Sequence, residues 1–267
     1  MVGRTRLYGQ GLFETLRVYP QRRVGFLDEH IRRMEEGAAF FGIPFSKQEF
    51  LLTLKKALNA IPEDAEARLR ITLEAYGEER AESSKLIAQW EPLVIPMGLY
   101  QQGATLTLAP FPRHCQSPLT RFKTTSYLEN IYTRTWAQAR GLYDALFLNE
   151  KGEIMEASAA NLFYIRGNSL VTPSLDSGLL PGIVRATILR IAGELGLQGK
   201  EKGVTLDELG RAEEVFLTNS IIEVLPVRKV EGIWMAQAPF SCSEALRMAY
   251  RERALQNELQ DKSLKSK

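Results

Sequence analysis

Cysteine and histidine are scarce in this chain of 267 residues: Cys115 and Cys242 are its two thiols, His30 and His114 its two imidazoles. Two cysteines so far apart give neither a disulfide framework nor a Cys-x-x-Cys pair for zinc or redox exchange, which points to a reducing, cytoplasmic setting. Two histidines cannot furnish a zinc enzyme built on histidine pairs or a repeated proton relay, so no metal is expected. No apolar run reaches the roughly 18 residues of a membrane helix, and no charged-then-apolar leader stands at the start. An excess of one charge is missing too. Lys and Arg number 34 against 32 Asp and Glu, a formal net charge of +2, and the basic residues are scattered rather than striped, which excludes nucleic acid as the expected partner. Internal repeats and low-complexity tracts are absent.

What is present is material for a core. Hydrophobic residues make up 45% of the chain, enough for one large domain or two modest ones. Leu27, Ile31, Met34, Ala38 and Phe41 recur at steps of three and four, which predicts a helix with one buried stripe and Asp28 as its cap. Residues 68 to 75 alternate as a half-buried strand does. Pro92, Pro96, Gly98 and Gly103 then punctuate the chain. The expected organisation is a small first domain over 1–95, a connection over 96–103, a larger domain over 104–260 and a solvated tail over 261–267. Within the larger domain, strands are expected at 104–110, 145–149, 162–166, 214–218 and 223–229. A helix is expected after Pro181-Gly182, with Val184, Ile188, Ile191 and Leu195 on one face and Gly196 at its end, and another from Ser241.

Lys123 lies in the run Arg121-Phe122-Lys123-Thr124-Thr125-Ser126-Tyr127-Leu128-Glu129-Asn130. Most lysines are solvated surface residues, so context decides. A phenol four residues on, Tyr127, and a carboxylate downstream, Glu156, are the companions an amine needs to hold and tune pyridoxal phosphate. Glu156 precedes the small residues Ala157, Ser158, Ala159 and Ala160, past which a flat ring can approach the backbone. Gly182 leading into Ile183, Val184 and Arg185 offers a helix start for a phosphate. Thr218-Asn219-Ser220, at a strand end, offers two hydroxyls and an amide for the same purpose. Gly9-Gln10-Gly11 lacks the third glycine and the βαβ setting of a dinucleotide fingerprint, and Gly193 to Lys200 closes a helix rather than opening one.

Taken in order, these segments resemble the fold-type IV pyridoxal-phosphate enzymes, the class IV aminotransferase family. The resemblance runs from about Gly9 to about Tyr250. It also takes in Gly-Gln-Gly-Leu-Phe-Glu-Thr-Leu-Arg-Val-Tyr at 9–19, His30-Ile31-Arg32-Arg33-Met34, Glu156 to Phe163, Leu179 to Ile183, and Thr218 to Val227. It implies an α+β fold in two domains: a small α/β N-terminal domain, and a larger C-terminal domain with a mixed, barrel-like β-sheet and flanking helices. It also implies a homodimer acting on a small-molecule substrate. Lys123 would carry the cofactor covalently and serve as general base and acid. Tyr127 would hydrogen-bond the ring oxygen, Glu156 would pair with the pyridine nitrogen, and Arg33, Ile183, Val184, Asn219 and Ser220 would hold the phosphate end. Val184 stands where a threonine is common, so one hydroxyl contact is missing there. Family members begin some twenty residues earlier, so the expectation is either a misassigned start or a first domain that lacks an edge strand.

Within the family, Phe122 to Asn130, Thr172 to Leu180 and Thr218 to Pro226 are most similar to aminodeoxychorismate lyases, which split 4-amino-4-deoxychorismate into 4-aminobenzoate and pyruvate for folate biosynthesis. Glu14 stands where some of those lyases carry a threonine. The alternative is an aminotransferase acting on D-amino or branched-chain amino acids. It needs a cation for the substrate carboxylate, for which Arg17 and Arg113 are the candidates, and the Arg-x-His carboxylate trap of D-amino acid aminotransferases is absent after Ala75.

Overall fold

The structure is a computed structural model describing residues 2–257; the expected tail, 261–267, lies outside the described residues. Contacts divide the chain into two compact units. The first holds the chain up to Val94, Phe122–Tyr127 and the residues from Glu252 on; the second holds Ile95–Arg121 and Leu128–Arg251. The Lys123 segment thus groups with residues more than a hundred positions before it.

The first unit opens with α1 (Arg4–Tyr8), followed by β1 (Gly11–Tyr19), β2 (Arg23–Val24), α2 (Leu27–Phe40), α3 (Lys47–Ala60), β3 (Ala67–Tyr76) and β4 (Ser83–Pro92). The strands form one sheet in the order β2-β1-β3-β4, antiparallel throughout. One face is apolar because alternate residues point to it. Leu12, Leu16 and Val18 of β1 and Leu69, Ile71 and Leu73 of β3 pack there against Ile31, Met34 and Ala38 of α2 and Phe50 and Leu54 of α3. The helix predicted over 27–41 is present, but Asp28 is not its cap: Phe26 occupies that position in a left-handed conformation (φ 58°), and Asp28 sits in the first turn with its carboxylate 3.1 Å from Lys47 Nζ. Ser46 does cap α3, accepting the Glu49 N–H at 3.2 Å.

The second unit comprises α4 (Met97–Gln102), β5 (Ala104–Leu108), α5 (Pro118–Arg121), α6 (Leu128–Gln138), β6 (Asp144–Leu148), β7 (Ile154–Ala157), β8 (Asn161–Arg166), β9 (Ser169–Pro173), α7 (Ile183–Glu194), β10 (Gln198–Lys202), α8 (Leu206–Leu209), β11 (Glu214–Asn219), β12 (Glu223–Val230), β13 (Trp234–Met235) and α9 (Ser241–Asn257), whose last residues belong to the first unit. Residues 97–102, expected as bare connection, thus form a helix. The main sheet runs β10-β9-β8-β11-β12-β5-β6-β7, with β13 on β12, and mixes parallel and antiparallel pairs. β7, at one end of that path, also contacts β9 near the other, so the sheet curls toward a barrel. In α7, Val184, Ile188 and Ile191 are buried as expected, whereas Leu195 is exposed and Gly196 follows in a left-handed conformation that ends the helix.

Candidate active site

On the first unit, the far end of β1 seats the segment that carries Lys123 and Tyr127. β2 is two residues long and pairs only with Val18 and Tyr19, which leaves the Gly11–Phe13 edge open. The Lys123 segment fills it: the Phe13 N–H donates to the Lys123 carbonyl and the Thr125 N–H to the Gly11 carbonyl, both at 2.9 Å. Thr125 Oγ1 donates to the Gly9 carbonyl at 2.7 Å. A Cβ on Gly9 would lie 2.2 Å from Ser126 Oγ, and one on Gly11 2.9 Å from Thr125 Oγ1. The Gly-x-Gly pattern is therefore a seat for the lysine segment, which is a close-approach use of glycine.

Seated this way, Lys123 Nζ lies 4.5 Å from the centre of the Phe13 ring and 5.9 Å from that of Tyr127. The Tyr127 ring meets Phe13 edge-on at 5.2 Å. Arg70, across the sheet on β3, places its guanidinium carbon 3.6 Å from the Phe13 centre. Burial pushes the Arg70 pKa down, with Tyr127 opposing that. Two cations around one ring create a positive field suited to an anionic group. The sequence reading missed Arg70. The alternation of β3 put it on the non-core face, but only the pairing of Thr15 with Arg70 brings it to Phe13. The two arginines named instead are engaged elsewhere. Arg17 pairs with Glu66; Arg113 bonds Glu129 at 2.9 Å and Asn130 at 2.7 Å and stacks 3.5 Å from the Phe147 ring.

Glu14 points to the opposite face of β1 from Phe13. Its carboxylate is 1% exposed and accepts from Arg33 through Nε at 2.8 Å and Nη2 at 2.6 Å. His30 Nδ1 lies 2.6 Å from the same group. Burial alone would raise the Glu14 pKa, but the Arg33 charge and the bonds from His30 and Arg33 prevail and bring it to about 2. Burial pushes His30 below its ordinary 6.5, against the pull of Glu14, so a neutral imidazole with its proton on Nδ1 donates to the carboxylate.

A pH dependence follows from these shifts. As pH falls below 6.5 the unfolded chain gains a proton on His30 that the fold resists, so stability begins to decline. The contribution of Glu14 is complete above its ordinary 4.5 and is lost as pH falls from there toward 2. Removing one partner of a buried pair costs about 3 to 5 kcal/mol. Glu14→Gln should therefore unfold in urea with about 3 kcal/mol less stability at pH 7 and lose less between pH 4.5 and 3. An identical acid profile for wild type and variant would contradict the assignment.

On the second unit, β7 carries Glu156 and ends at Ala157, and the chain turns through Ser158–Ala160 into β8. Asn130 Nδ2 donates to the Ser158 carbonyl at 2.6 Å and Asn219 Nδ2 to the Ala159 carbonyl at 2.8 Å. The Asn219 Oδ1 accepts the N–H groups of Ile221 and Ile222, both at 2.9 Å, so this side chain builds the turn after β11. Glu156 is buried. Its Oε2 accepts from Asn161 Nδ2 at 3.0 Å and from the Leu180 N–H at 3.3 Å.

Gly182 begins α7 in extended conformation without a side-chain cap, and the Ala186 N–H makes the first helical bond, to its carbonyl. Helix geometry leaves the N–H groups of Ile183, Val184 and Arg185 without an intrahelical acceptor. Ser220, half-buried, follows β11, whose Thr218 carries a buried hydroxyl with no hydrogen-bond partner. An uncapped helix start, an orphaned hydroxyl and a fixed carboxylate suit a ligand with a phosphate at one end and a protonatable ring nitrogen at the other. Elsewhere in this unit, the Cys115 thiol and N–H donate to the Glu150 carboxylate at 3.1 and 2.9 Å and His114 Nδ1 accepts the Gln116 N–H at 3.2 Å. This clasp joins the 114–116 segment to the 149–153 turn.

Of the residues expected at the site, Lys123, Tyr127 and Arg33 lie in the first unit, and Glu156, Ile183, Val184, Asn219 and Ser220 in the second. Residues 11–230 match the family described as amino-transferase class IV. The chain is 30% identical over 259 residues to the aminodeoxychorismate lyase of Bacillus subtilis, covering 92% of this chain and 86% of that protein. It is 32% identical over 245 residues to a branched-chain-amino-acid aminotransferase of Pseudomonas aeruginosa, covering 84% and 77%. A crystal structure from Legionella pneumophila, named as a 4-amino-4-deoxychorismate lyase, superposes with a TM-score of 0.84 at 28% identity, covering 94% and 93%. The chain belongs to the class IV aminotransferase family, with its fold-type IV architecture and pyridoxal 5′-phosphate as cofactor.

Proposed function

We propose that the chain is an aminodeoxychorismate lyase. The observation that carries this is the pairing of Lys123 Nζ and the Arg70 guanidinium around Phe13, an amine able to move a proton beside a cation able to hold a substrate carboxylate. The similarity to the Bacillus subtilis lyase supports it. Pyridoxal phosphate, when bound, supplies an electron-withdrawing ring that takes up the charge left by a departing proton.

Lys123 would hold the cofactor and would then be the group that removes the proton from the amine-bearing ring carbon of the substrate. Arg70 orients the substrate through a carboxylate while the enolpyruvyl ether leaves from the neighbouring carbon and the ring aromatises. Glu156, fixed by Asn161 and Leu180, keeps a proton on the pyridine nitrogen. The Ile183 and Val184 N–H groups, Ser220 and Arg33 hold the phosphate, Arg33 being oriented by Glu14, and the helix dipole of α7 adds roughly 0.3 to 1 kcal/mol there. Tyr127 donates to the ring oxygen. Asn219 acts through the turn it builds. The two products together contain every atom of the substrate, so no amino acceptor is consumed.

Turnover of 4-amino-4-deoxychorismate at an undiminished rate without any 2-oxo acid tests this reading. Strict dependence on an added 2-oxo acid would replace it with the second reading, an aminotransferase, which the Pseudomonas aeruginosa relative favours.

The enzyme is proposed to be a homodimer. α6 presents Leu128, 80% exposed, with Ile131 and Tyr132 on one side of the helix, and an apolar stripe of this kind favours burial against a partner. Sedimentation of the wild type as a dimer and of Ile131→Lys as a monomer is expected; a monomeric wild type would refute it.

A further inference from the structure

Asn161 touches both the Glu156 carboxylate and the approach to α7. Its Nδ2 donates to Glu156 Oε2 and to the Leu180 carbonyl, each at 3.0 Å. The Leu180 N–H returns to Glu156 Oε2 at 3.3 Å, closing a ring of bonds between Glu156, Asn161 and the residue two places before Gly182. On the other side of the amide, a Cβ built on Gly182 would lie 2.0 Å from Asn161 Oδ1. The helix start therefore rests on the amide oxygen, and only glycine fits there. Asn161 itself is buried and pairs across the sheet with Thr218.

We infer that Asn161 is a positioning residue that couples the two ends of the cofactor site, setting the Glu156 carboxylate and the N–H groups of Ile183 and Val184 at a fixed mutual spacing. The inference rests on the proposed pairing of Glu156 with the pyridine nitrogen and of α7 with the phosphate. An asparagine suits the task because its nitrogen has two protons, one for the carboxylate and one for the carbonyl, while its oxygen meets the glycine. An aspartate of the same shape would set an oxygen against Glu156 Oε2. Two carboxylates at that distance cannot both ionise near neutral pH, so they would share a proton and Glu156 would no longer be a full negative charge facing the ring.

The test uses Asn161→Asp, Gly182→Ala and Glu156→Gln beside wild type. It measures the affinity of the apo protein for pyridoxine 5′-phosphate, which has ring and phosphate but cannot bond covalently to Lys123. It also measures the visible spectrum of the pyridoxal phosphate form from pH 6 to 9. Asn161→Asp and Gly182→Ala are both expected to bind pyridoxine 5′-phosphate at least tenfold more weakly, and Asn161→Asp to show a pH-dependent spectrum where wild type is constant. Affinities within threefold of wild type in both variants, with Glu156→Gln altering the spectrum, would overturn the coupling by Asn161 alone. Glu156→Gln leaving affinity and spectrum unchanged would overturn the underlying assignment of Glu156. Should Asn161→Asp not accumulate as folded protein, Gly182→Ala carries the comparison, since it displaces the amide while leaving Asn161 in place.

Discussion

Lys123→Ala is expected to lower turnover by roughly 10,000-fold or more, the upper range for loss of a positioned general base, and to remove the covalent link to the cofactor. Arg70 cannot act as a base, because a guanidinium holds its proton in proteins. His30 is spent on Glu14, with its Nδ1 2.6 Å from that carboxylate. The fold should tolerate the change, because the segment is held by backbone and threonine bonds, Phe13 N–H to Lys123 carbonyl among them. Borohydride reduction followed by peptide mass analysis should place cofactor on Lys123 in wild type and on no residue in the variant. A small added amine should restore part of the rate by occupying the space vacated above Phe13. Wild-type turnover in the variant would refute the assignment.

Arg70→Gln carries the second large effect. Removing one partner of a desolvated charge pair costs about 2 to 5 kcal/mol, which corresponds to roughly 30-fold to several thousandfold in kcat/KM at 1.4 kcal/mol per tenfold. Because the guanidinium is proposed to hold the substrate and not to move its proton, the loss should fall mainly on KM. Pyridoxine 5′-phosphate affinity should stay near that of wild type. Arg70→Lys should recover part of the loss, since a lysine keeps the charge but not the planar two-point contact. A variant with unchanged KM would remove Arg70 from the substrate site. Equal losses with Arg17→Gln would show that the charge acts at long range, because Arg17 pairs with Glu66.

The elements easiest to read in the sequence were those whose period is set by one continuous apolar face. The stripe of Ile31, Met34 and Ala38, the alternation through Leu69, Ile71 and Leu73, and the Gly182 start of α7 all stand as helix, strand and helix. Asp28 failed as a cap because the chain enters α2 through a left-handed Phe26, an entry that residue type does not announce. Residues 97–102 form a short helix because Gly98 can sit within a helical turn as well as break one, and Gly103 supplies an exit at positive φ. Gly9 and Gly11 were visible but their purpose was not: two glycines cleared for Ser126 and Thr125 depend on a contact across more than a hundred residues of chain. For the same reason Arg70 escaped notice and Arg17 and Arg113 were named in its place. An isolated sequence shows that a strand has a polar face, but strand pairing decides which arginine on that face meets Phe13. Lys123, Tyr127 and Glu156 could be named as candidates because each falls within a short segment, whereas Asn161 acquires its place only when Leu180 and Gly182 fold back on it.

The most direct measurement is to supply freshly generated 4-amino-4-deoxychorismate to protein loaded with pyridoxal phosphate, with no 2-oxo acid present, and to quantify 4-aminobenzoate and pyruvate in the same samples. Equal amounts of the two, rising linearly through many turnovers, are the predicted result. Absence of both products from protein that has bound its cofactor, together with amino transfer from a D- or branched-chain amino acid, would contradict it.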